Sequence, residues 1–508
     1  MLKFLILFLA VAYAHEDVEV GEPNFVGGRT VIVHLFEWRW TDIAEECENF
    51  LGPYGYAGVQ VSPPMAHREY AEYGYPWWQR YQPVDYTLES RSGTELEFQD
   101  MVSRCNAVGV RIYVDAVINH MAAALPGQES DMYRFDGVPY DESAFNVPNG
   151  RCTTESGNIE SYLDADQVRY CNLLGLPDLD YRTEIVEESV EEYLNKLLSY
   201  GVAGFRIDAA KHMDVEEIEH LAGHHLDDCT FGGRPYFYQE VIDMAPAEGE
   251  TDEPITSIEY IHSGDVTEFK YCEIIAQLGR GEKSLTEFEN FPDASLGLLP
   301  SENALVFVDN HDNQRGHGAG GEILNFQSPD EYTKATAFTL AWNYGTKRVM
   351  SSYAFADTDQ GPPSDGNGNT ISPTFDSTTL ECTGEWICEH RWRAIRNMAC
   401  FSNVAGTAAV ENWADNGNNF ISFSRGGKAF FAMSNESGDV CDTRQTGLPA
   451  GTYCDLISGE PTALGCSGDH VTVAADGTAQ ICLSPGAGSM VAFTAASTPG
   501  TSSTGCQM

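Results

Sequence analysis

Seven apolar, β-branched runs recur along this chain with helical patterns between several of them, and that alternation constrains the fold more than any other feature. The runs are TVIVHLF (30–36), GVQVS (58–62), VRIYVDAV (110–117), GVAGFRIDA (201–209), YFYQEV (236–241), ALVFVD (304–309) and RVMSSY (348–353). Between them, Leu96, Met101, Val102 and Cys105 recur at helical spacing, as do Val186, Val190, Tyr193, Leu194 and Leu197. Strands and helices alternating on this scale imply a parallel sheet, and seven or eight such units predict an α/β fold of the (β/α)8 TIM barrel type.

Two stretches break the rhythm. From Asn119 to Leu179 the chain lacks helical periodicity and is rich in Gly, Asn, Asp and Pro; about sixty residues is too long for an ordinary loop. The expectation is an irregular domain, 119–179, inserted after the third strand of a barrel built from 15–118 and 180–406. After Thr407 the pattern changes to short alternating strands with Gly and Asn turns, as in NNFISFSRGGKAFFAMS and HVTVAADGTAQICLS. This predicts a C-terminal antiparallel β-sandwich over 407–495 and a flexible low-complexity tail over 496–508.

Residues 1–14 carry Lys3, the apolar FLILFLAVA and a small-x-small end at Ala12-Tyr13-Ala14, the pattern of a secretory signal peptide. The apolar run is roughly half of the ~20 residues that span a bilayer, so a secreted, extracellular chain with no membrane partner is expected. Fourteen cysteines agree with an oxidising compartment. With 29 Lys plus Arg against 76 Asp plus Glu, the formal charge of -47 repels nucleic acid and anionic lipid. A neutral or cationic partner remains, although solubility alone also accounts for such a charge.

Alternate side chains of a strand share a face, so Arg206 and Asp208 point one way while Phe205 and Ile207 point the other. In a barrel the charged pair would face the interior near the C-terminal strand end, where active sites of such barrels are built. Taken alone, the motif fits a self-satisfied structural ion pair equally well. Other strand ends decide between the two: YFYQE ends on Glu240, FVDNHD on His311 and Asp312, and DAVINH carries Asp115, Asn119 and His120. Carboxylates and imidazoles gathered in one pocket suit glycoside hydrolysis, in which one carboxyl protonates the leaving oxygen while another attacks or activates water. Asp208, beside Arg206, is expected to be the ionised nucleophile and Glu240 the proton donor.

DAVINH, GFRIDAAKH, YQEVID and FVDNHDNQ, in that order, resemble the four characteristic motifs of the alpha-amylase glycoside hydrolase family in its animal type. The likeness extends from VIVHLFEW to GTYCDLISG, nearly the whole chain. It implies a digestive, endo-acting hydrolase of internal α-1,4 bonds in starch and glycogen, working as a monomer on its polysaccharide partner. The implied roles are Asp208 as nucleophile, Glu240 as acid/base and Asp312 as the third carboxylate, which stabilises the transition state. A retaining double displacement follows, with the first two carboxyls about 5 to 5.5 Å apart.

The resemblance also implies two ions. One calcium would be held by Asn119, Asp178 and the main-chain carbonyls of Arg169 and His212, an all-oxygen set that suits a hard cation. One chloride would sit at Arg206, Asn310 and Arg348, where its charge favours a protonated Glu240. On this reading Arg206 mainly holds the anion and leaves Asp208 free; arginines serving only as counter-ions are the alternative. Trp77, Trp78, Tyr81 and Gln82, near Arg80 in YGYPWWQRYQPVDY, resemble a sugar-stacking platform. RGHGAGGE resembles a mobile loop presenting His317, and Lys211, His212, His120 and His311 would bond sugar hydroxyls.

Family pattern pairs Cys47 with Cys105, Cys152 with Cys171, Cys382 with Cys388 and Cys454 with Cys466. For the remaining six cysteines the expected pairs are Cys229–Cys272, Cys400–Cys441 and Cys482–Cys506. A further bridge that vertebrate members carry in the inserted domain has no cysteines here, which suggests an invertebrate-like member. Asn435 in NES is a glycosylation acceptor by pattern. His220, His224 and His225 in EHLAGHHLDDC offer an i, i+4 pair to a metal, but with no third ligand apparent a solvated helix face is favoured. Two other functions stay open: an exo-acting α-glucosidase or glucanotransferase, and a non-catalytic sugar-binding relative. The last normally loses a catalytic carboxylate, and all three are present here.

Overall fold

The computed structural model describes residues 21–244, 253–318 and 322–501. The expected signal segment 1–14, residues 319–321 of the Gly-rich loop, and Cys506 with the end of the tail lie outside the described residues.

Eight parallel strands close into a barrel in sequence order: β1 (Val31–Leu35), β2 (Gly58–Val61), β3 (Arg111–Ala116), β4 (Gly204–Ile207), β5 (Tyr236–Gln239), β6 (Asp265–Thr267), β7 (Ala304–Val306) and β8 (Thr346–Ser351). Six of these fall inside the apolar runs, and β8 overlaps the seventh, starting two residues before it. β6 matches none, because a three-residue Asp-Val-Thr segment has too little length or apolar content to signal a strand; its pairing with β5 and β7 makes it one. At Gly204 an added Cβ would collide with the Tyr236 carbonyl, so glycine is what lets the chain lie close against β5 there.

Register fixes which side chains share a layer inside the barrel. Gln60 lies opposite His34 and Tyr113, Asp115 opposite Arg206, and Arg206 opposite Tyr238. β8 closes on β1 with Arg348 opposite Ile32. The interior is therefore polar toward the C-terminal ends, while Ile32, Tyr113, Tyr236, Leu305 and Phe307 pack a separate apolar cluster.

Outside the barrel, the helix Glu95–Ala107 starts at a capping box in which Thr94 N–H donates to Glu97 Oε2 at 2.8 Å. It buries Phe98, Met101, Val102 and Cys105, whereas Leu96, expected on that face, is 76% exposed. Leu96 is five residues from Met101, which turns it about 140° away around the helix. The helix Glu184–Ser199 buries the whole expected stripe from Val186 to Leu197. Among the described residues no helix is long and apolar enough to cross a membrane.

Segment 119–179 is irregular, with one short α-helix, Ala165–Tyr170, and bridges pairing His120 with Asp178 and Phe145 with Leu179. Further on, Val410–Asp415, Phe420–Arg425, Ala429–Ser434 and Met490–Thr494 form a four-stranded sheet. One face of it packs Phe420, Phe430 and Phe493 against Tyr453 and Ile481 from the opposing strand pairs and Leu448 from the connection between them. Its other face meets the barrel: Phe423 lies 4.9 Å from the Trp342 ring.

Disulfides join Cys47–Cys105, Cys152–Cys171, Cys382–Cys388 and Cys454–Cys466. The other expected pairings are corrected. Cys441 bonds Cys482, because the strands Val440–Gln445 and Thr478–Leu483 place them directly opposite each other. Neither Cys441 nor Cys482 is then available to Cys400 or Cys506, and Cys400 is itself disulfide-bonded. Cys229 and Cys272 are both buried free thiols.

Candidate active site

Strand ends deliver the acids to one place. Asp115 lies within β3, Asp208 follows β4 by one residue, Glu240 follows β5 by one, and Asp312 sits in the turn after β7. Arg206, 1% exposed, stands among them. Its Nη1 donates to Asp115 Oδ1 at 2.6 Å and to Asp208 Oδ1 at 2.8 Å, and its Nη2 donates to Glu240. Tyr81 donates its hydroxyl to the other Asp115 oxygen at 2.8 Å. Just beyond Asp208 the backbone turns left-handed at Ala209, φ 51°, and the Ala209 N–H reaches Glu240 Oε2 at 2.9 Å. A non-glycine residue held there is strained, and this contact is what the strain achieves.

The expectation that Arg206 leaves Asp208 free is therefore corrected: one guanidinium is shared by three carboxylates. Burial pushes the Asp208 carboxyl well above the usual range, the charges of Glu240 and Asp115 add to this, and Arg206 opposes it. Burial raises Asp115 in the same way. Burial and the Glu240 charge push Asp312 up to about 7, yet its side chain keeps 20% of its surface open, and water in the cleft moderates the shift.

Arg348 is a second cation in the interior, 3% exposed. It donates to Gln60 Oε1 at 2.7 Å and lies over the Phe307 ring at 4.4 Å, and among the described residues no carboxylate forms an ion pair with it. Burial and the like charge of Arg206 both disfavour its cationic form. Asn310, 2% exposed, accepts the N–H groups of Asp312 and Asn313 on its Oδ1, so its amide NH2 is the end that would face an anion. A buried guanidinium lacking a carboxylate partner fits a small anion.

The residues expected to hold calcium fall into two contacting pairs. Leu179 N–H donates to the Asn119 carbonyl at 3.0 Å and His120 bridges to Asp178, while His212 Nδ1 meets the Val168 carbonyl, next to Arg169, at 2.9 Å. Asp178 is 1% exposed; its Oδ2 accepts from Asn146 at 2.6 Å, but its Oδ1 is buried with no hydrogen-bond partner. Burial pushes this carboxyl well above the usual range. An orphaned carboxylate oxygen at such a place fits a hard cation. Asn146 is a contributor that sequence reasoning missed, since an isolated Asn in an irregular segment carries no pattern.

Above the acids lies a cleft of about 720 Å³, lined by Asp208, Glu240 and Asp312 and by Trp77, Trp78, Tyr81, Gln82, His120, Lys211, His212 and His317. Arg80 is not part of it: this side chain is fully buried and paired with Glu37 at 2.8 Å. His311 does not line it either. Its ring stacks on Tyr81 at 5.1 Å, one layer behind the cleft wall, with Nε2 3.3 Å from Asp312 Oδ2. Leu173, Leu174, Asp359 and Glu253 line the cleft without having been anticipated. Leu174, 88% exposed, had a legible signal, an apolar pair in the otherwise polar CNLLGLPD.

Such an arrangement can protonate a leaving oxygen and attack an adjacent carbon from the opposite side, while aromatic faces hold an apolar ring surface. Comparison with known proteins agrees. Residues 51–271 match the family profile described as "Alpha amylase, catalytic domain", and residues 411–494 that of "Alpha amylase, C-terminal all-beta domain". The chain is 49% identical over 489 residues to pancreatic alpha-amylase of Sus scrofa, covering 91% of this chain and 93% of that protein. It is 45% identical over 476 residues to alpha-amylase of Pecten maximus, covering 91% of each. The crystal structure of alpha-amylase I from Eisenia fetida superposes with a TM-score of 0.86 at 42% identity, covering 94% of this chain and 99% of that one. A variant of that enzyme, with the same TM-score and identity, was solved in complex with maltohexaose.

Proposed function

Since the chain belongs to the alpha-amylase family of glycoside hydrolases, we propose that it is a secreted digestive enzyme that cleaves internal α-1,4 bonds of starch and glycogen with retention of configuration. The observation that supports this most is the sharing of Arg206 by Asp208, Glu240 and Asp115 at the floor of a cleft that Asp312 also lines. Burial and mutual repulsion disfavour full ionisation where three carboxylates share one cation, and Asp208 and Asp115 are raised accordingly.

In the proposed sequence, Glu240 gives its proton to the glycosidic oxygen as the bond to the leaving sugar breaks. Asp208 attacks the anomeric carbon and forms a glycosyl ester. Water then enters, Glu240 removes its proton, and the hydroxide displaces Asp208. Asp312 bonds the sugar and stabilises the charge that develops on its ring. Trp77, Trp78, Tyr81 and Gln82 position the glucan, with His120, Lys211, His212 and His317 bonding its hydroxyls and His311 supporting Asp312 from behind. An endo mode is tested by products: a rapid fall in the viscosity of soluble starch with release of short oligosaccharides is expected, whereas glucose release with little early thinning would favour an exo enzyme.

Two ions complete the proposal. Asn119, Asp178 and the carbonyls of Arg169 and His212 would hold calcium, which neutralises Asp178 and staples segment 119–179 to the barrel. Arg206, Asn310 and Arg348 would hold chloride, which supplies negative charge beside the acids. Dialysis against a chelator, with calcium and chloride returned separately, tests both. Calcium at about a hundred times its dissociation constant adds ~2.7 kcal/mol of stability, so its removal should visibly lower the melting temperature. Chloride should restore rate instead; full activity without it would count against the anion site.

A further inference from the structure

The helix Val215–His220 does not continue as an α-helix. Its next turn, Leu221–His225, is π-helical, which widens the spacing of residues that share a face from i, i+4 to i, i+5. His220 and His225, five residues apart, meet with their rings 4.4 Å apart and their Nε2 atoms 2.9 Å apart. The third ligand that seemed absent comes from the neighbouring helix Glu184–Ser199. Oε1 of Glu187 lies 2.7 Å from His220 Nε2 and 3.4 Å from His225 Nε2.

We propose that Glu187, His220 and His225 form a binding site for a divalent transition metal, zinc by ligand chemistry, on the outer face of the barrel. Two imidazole nitrogens and one carboxylate oxygen, all within 4.8 Å of one another, form the ligand set of a three-ligand zinc centre whose fourth position is taken by water. Zinc bonds of about 2.0 to 2.1 Å place tetrahedral ligand atoms about 3.3 Å apart. One of the three separations already matches, and the other two require small outward movements of side chains that are 55% exposed at His220 and 26% at Glu187.

A second shell is present as well. The other ring nitrogen of His225, Nδ1, meets Glu191 Oε2 at 3.0 Å, the carboxylate–histidine arrangement that orients a metal-bound imidazole. The His225 backbone is fixed too, since its carbonyl accepts from Asn195 Nδ2 at 3.0 Å. The site draws on two helices, so a bound ion would clip the segment after β4 to the helix before it. None of its residues lines the catalytic cleft. An imidazole pair hydrogen-bonded to Glu187 is the metal-free alternative, and the two make different predictions.

The full-length protein, freed of transition metals with calcium and chloride retained, is titrated with Zn²⁺ by calorimetry and melted with and without it. The expected result is a zinc equivalent that raises the melting temperature of the parent and is missing from both His220→Gln and His225→Gln, which keep a polar end for Glu187. Glu191→Gln should weaken that equivalent roughly 10- to 100-fold. Starch hydrolysis without zinc should be the same in all four proteins. Co²⁺ in place of zinc should develop a ligand-field spectrum in the parent that His225→Gln lacks. Zinc binding unchanged in both histidine variants, or absent from the parent, overturns the proposal.

Discussion

Asp208→Asn should lower kcat on starch by about 10⁴-fold or more, with binding of a maltooligosaccharide little changed. The carboxamide is nearly isosteric and still offers Arg206 an oxygen in place of the Oδ1 now accepting at 2.8 Å. The pocket should therefore keep its shape, but an amide cannot form the glycosyl ester. Losses of this order are typical when a nucleophile that works as part of a unit is removed. Steady-state kinetics together with oligosaccharide titration separate chemistry from binding. A variant that hydrolysed starch as fast as the parent would end the assignment of Asp208, and a variant that lost binding and stability together would show that its role is structural.

The second large effect is on stability. Arg206→Met keeps much of the side-chain volume but leaves Asp115, Asp208 and Glu240 with no shared cation. Breaking a buried ion pair from one side costs ~3 to 5 kcal/mol, because the remaining charge is stranded. The pH dependence has a definite sign. Asp115 and Asp208 are already raised by burial, and removing Arg206 raises them further. Carboxyls whose folded pKa lies above the unfolded value bind more protons when folded, so their penalty is fully present above the folded pKa and disappears as pH falls toward the unfolded value. The variant should therefore lose most stability at pH 8 and recover part of it near pH 5. Urea unfolding at both values measures this; equal stability to the parent at pH 8 would mean that the three acids are not held by this arginine.

Much of the architecture was legible because its signals are local. β-Branched runs separated by helical stripes pointed to a barrel, and the short alternating strands read within residues 418–434 are Phe420–Arg425 and Ala429–Ser434, which pair antiparallel. The three acids were legible for the same reason, each standing at the end of an apolar run. What stayed hidden had no local signature. β6 is a strand only because the barrel closes through it, and Leu96 was assigned to the packed face because helical spacing alone does not say which residues share it.

The sites divide in the same way. Sequence by itself determined which residue types would line the cleft, since side-chain alternation and strand ends follow from chain geometry. Only the tertiary structure decided how they are connected. It put one guanidinium in contact with three carboxylates, left the Asp178 Oδ1 atom without a partner, and moved His311 behind Tyr81. It also brought Glu187 to two histidines that a regular helix would have held apart. In each case the partners are distant in sequence or depend on one irregular turn, and such contacts exist only once register and packing have set the distances.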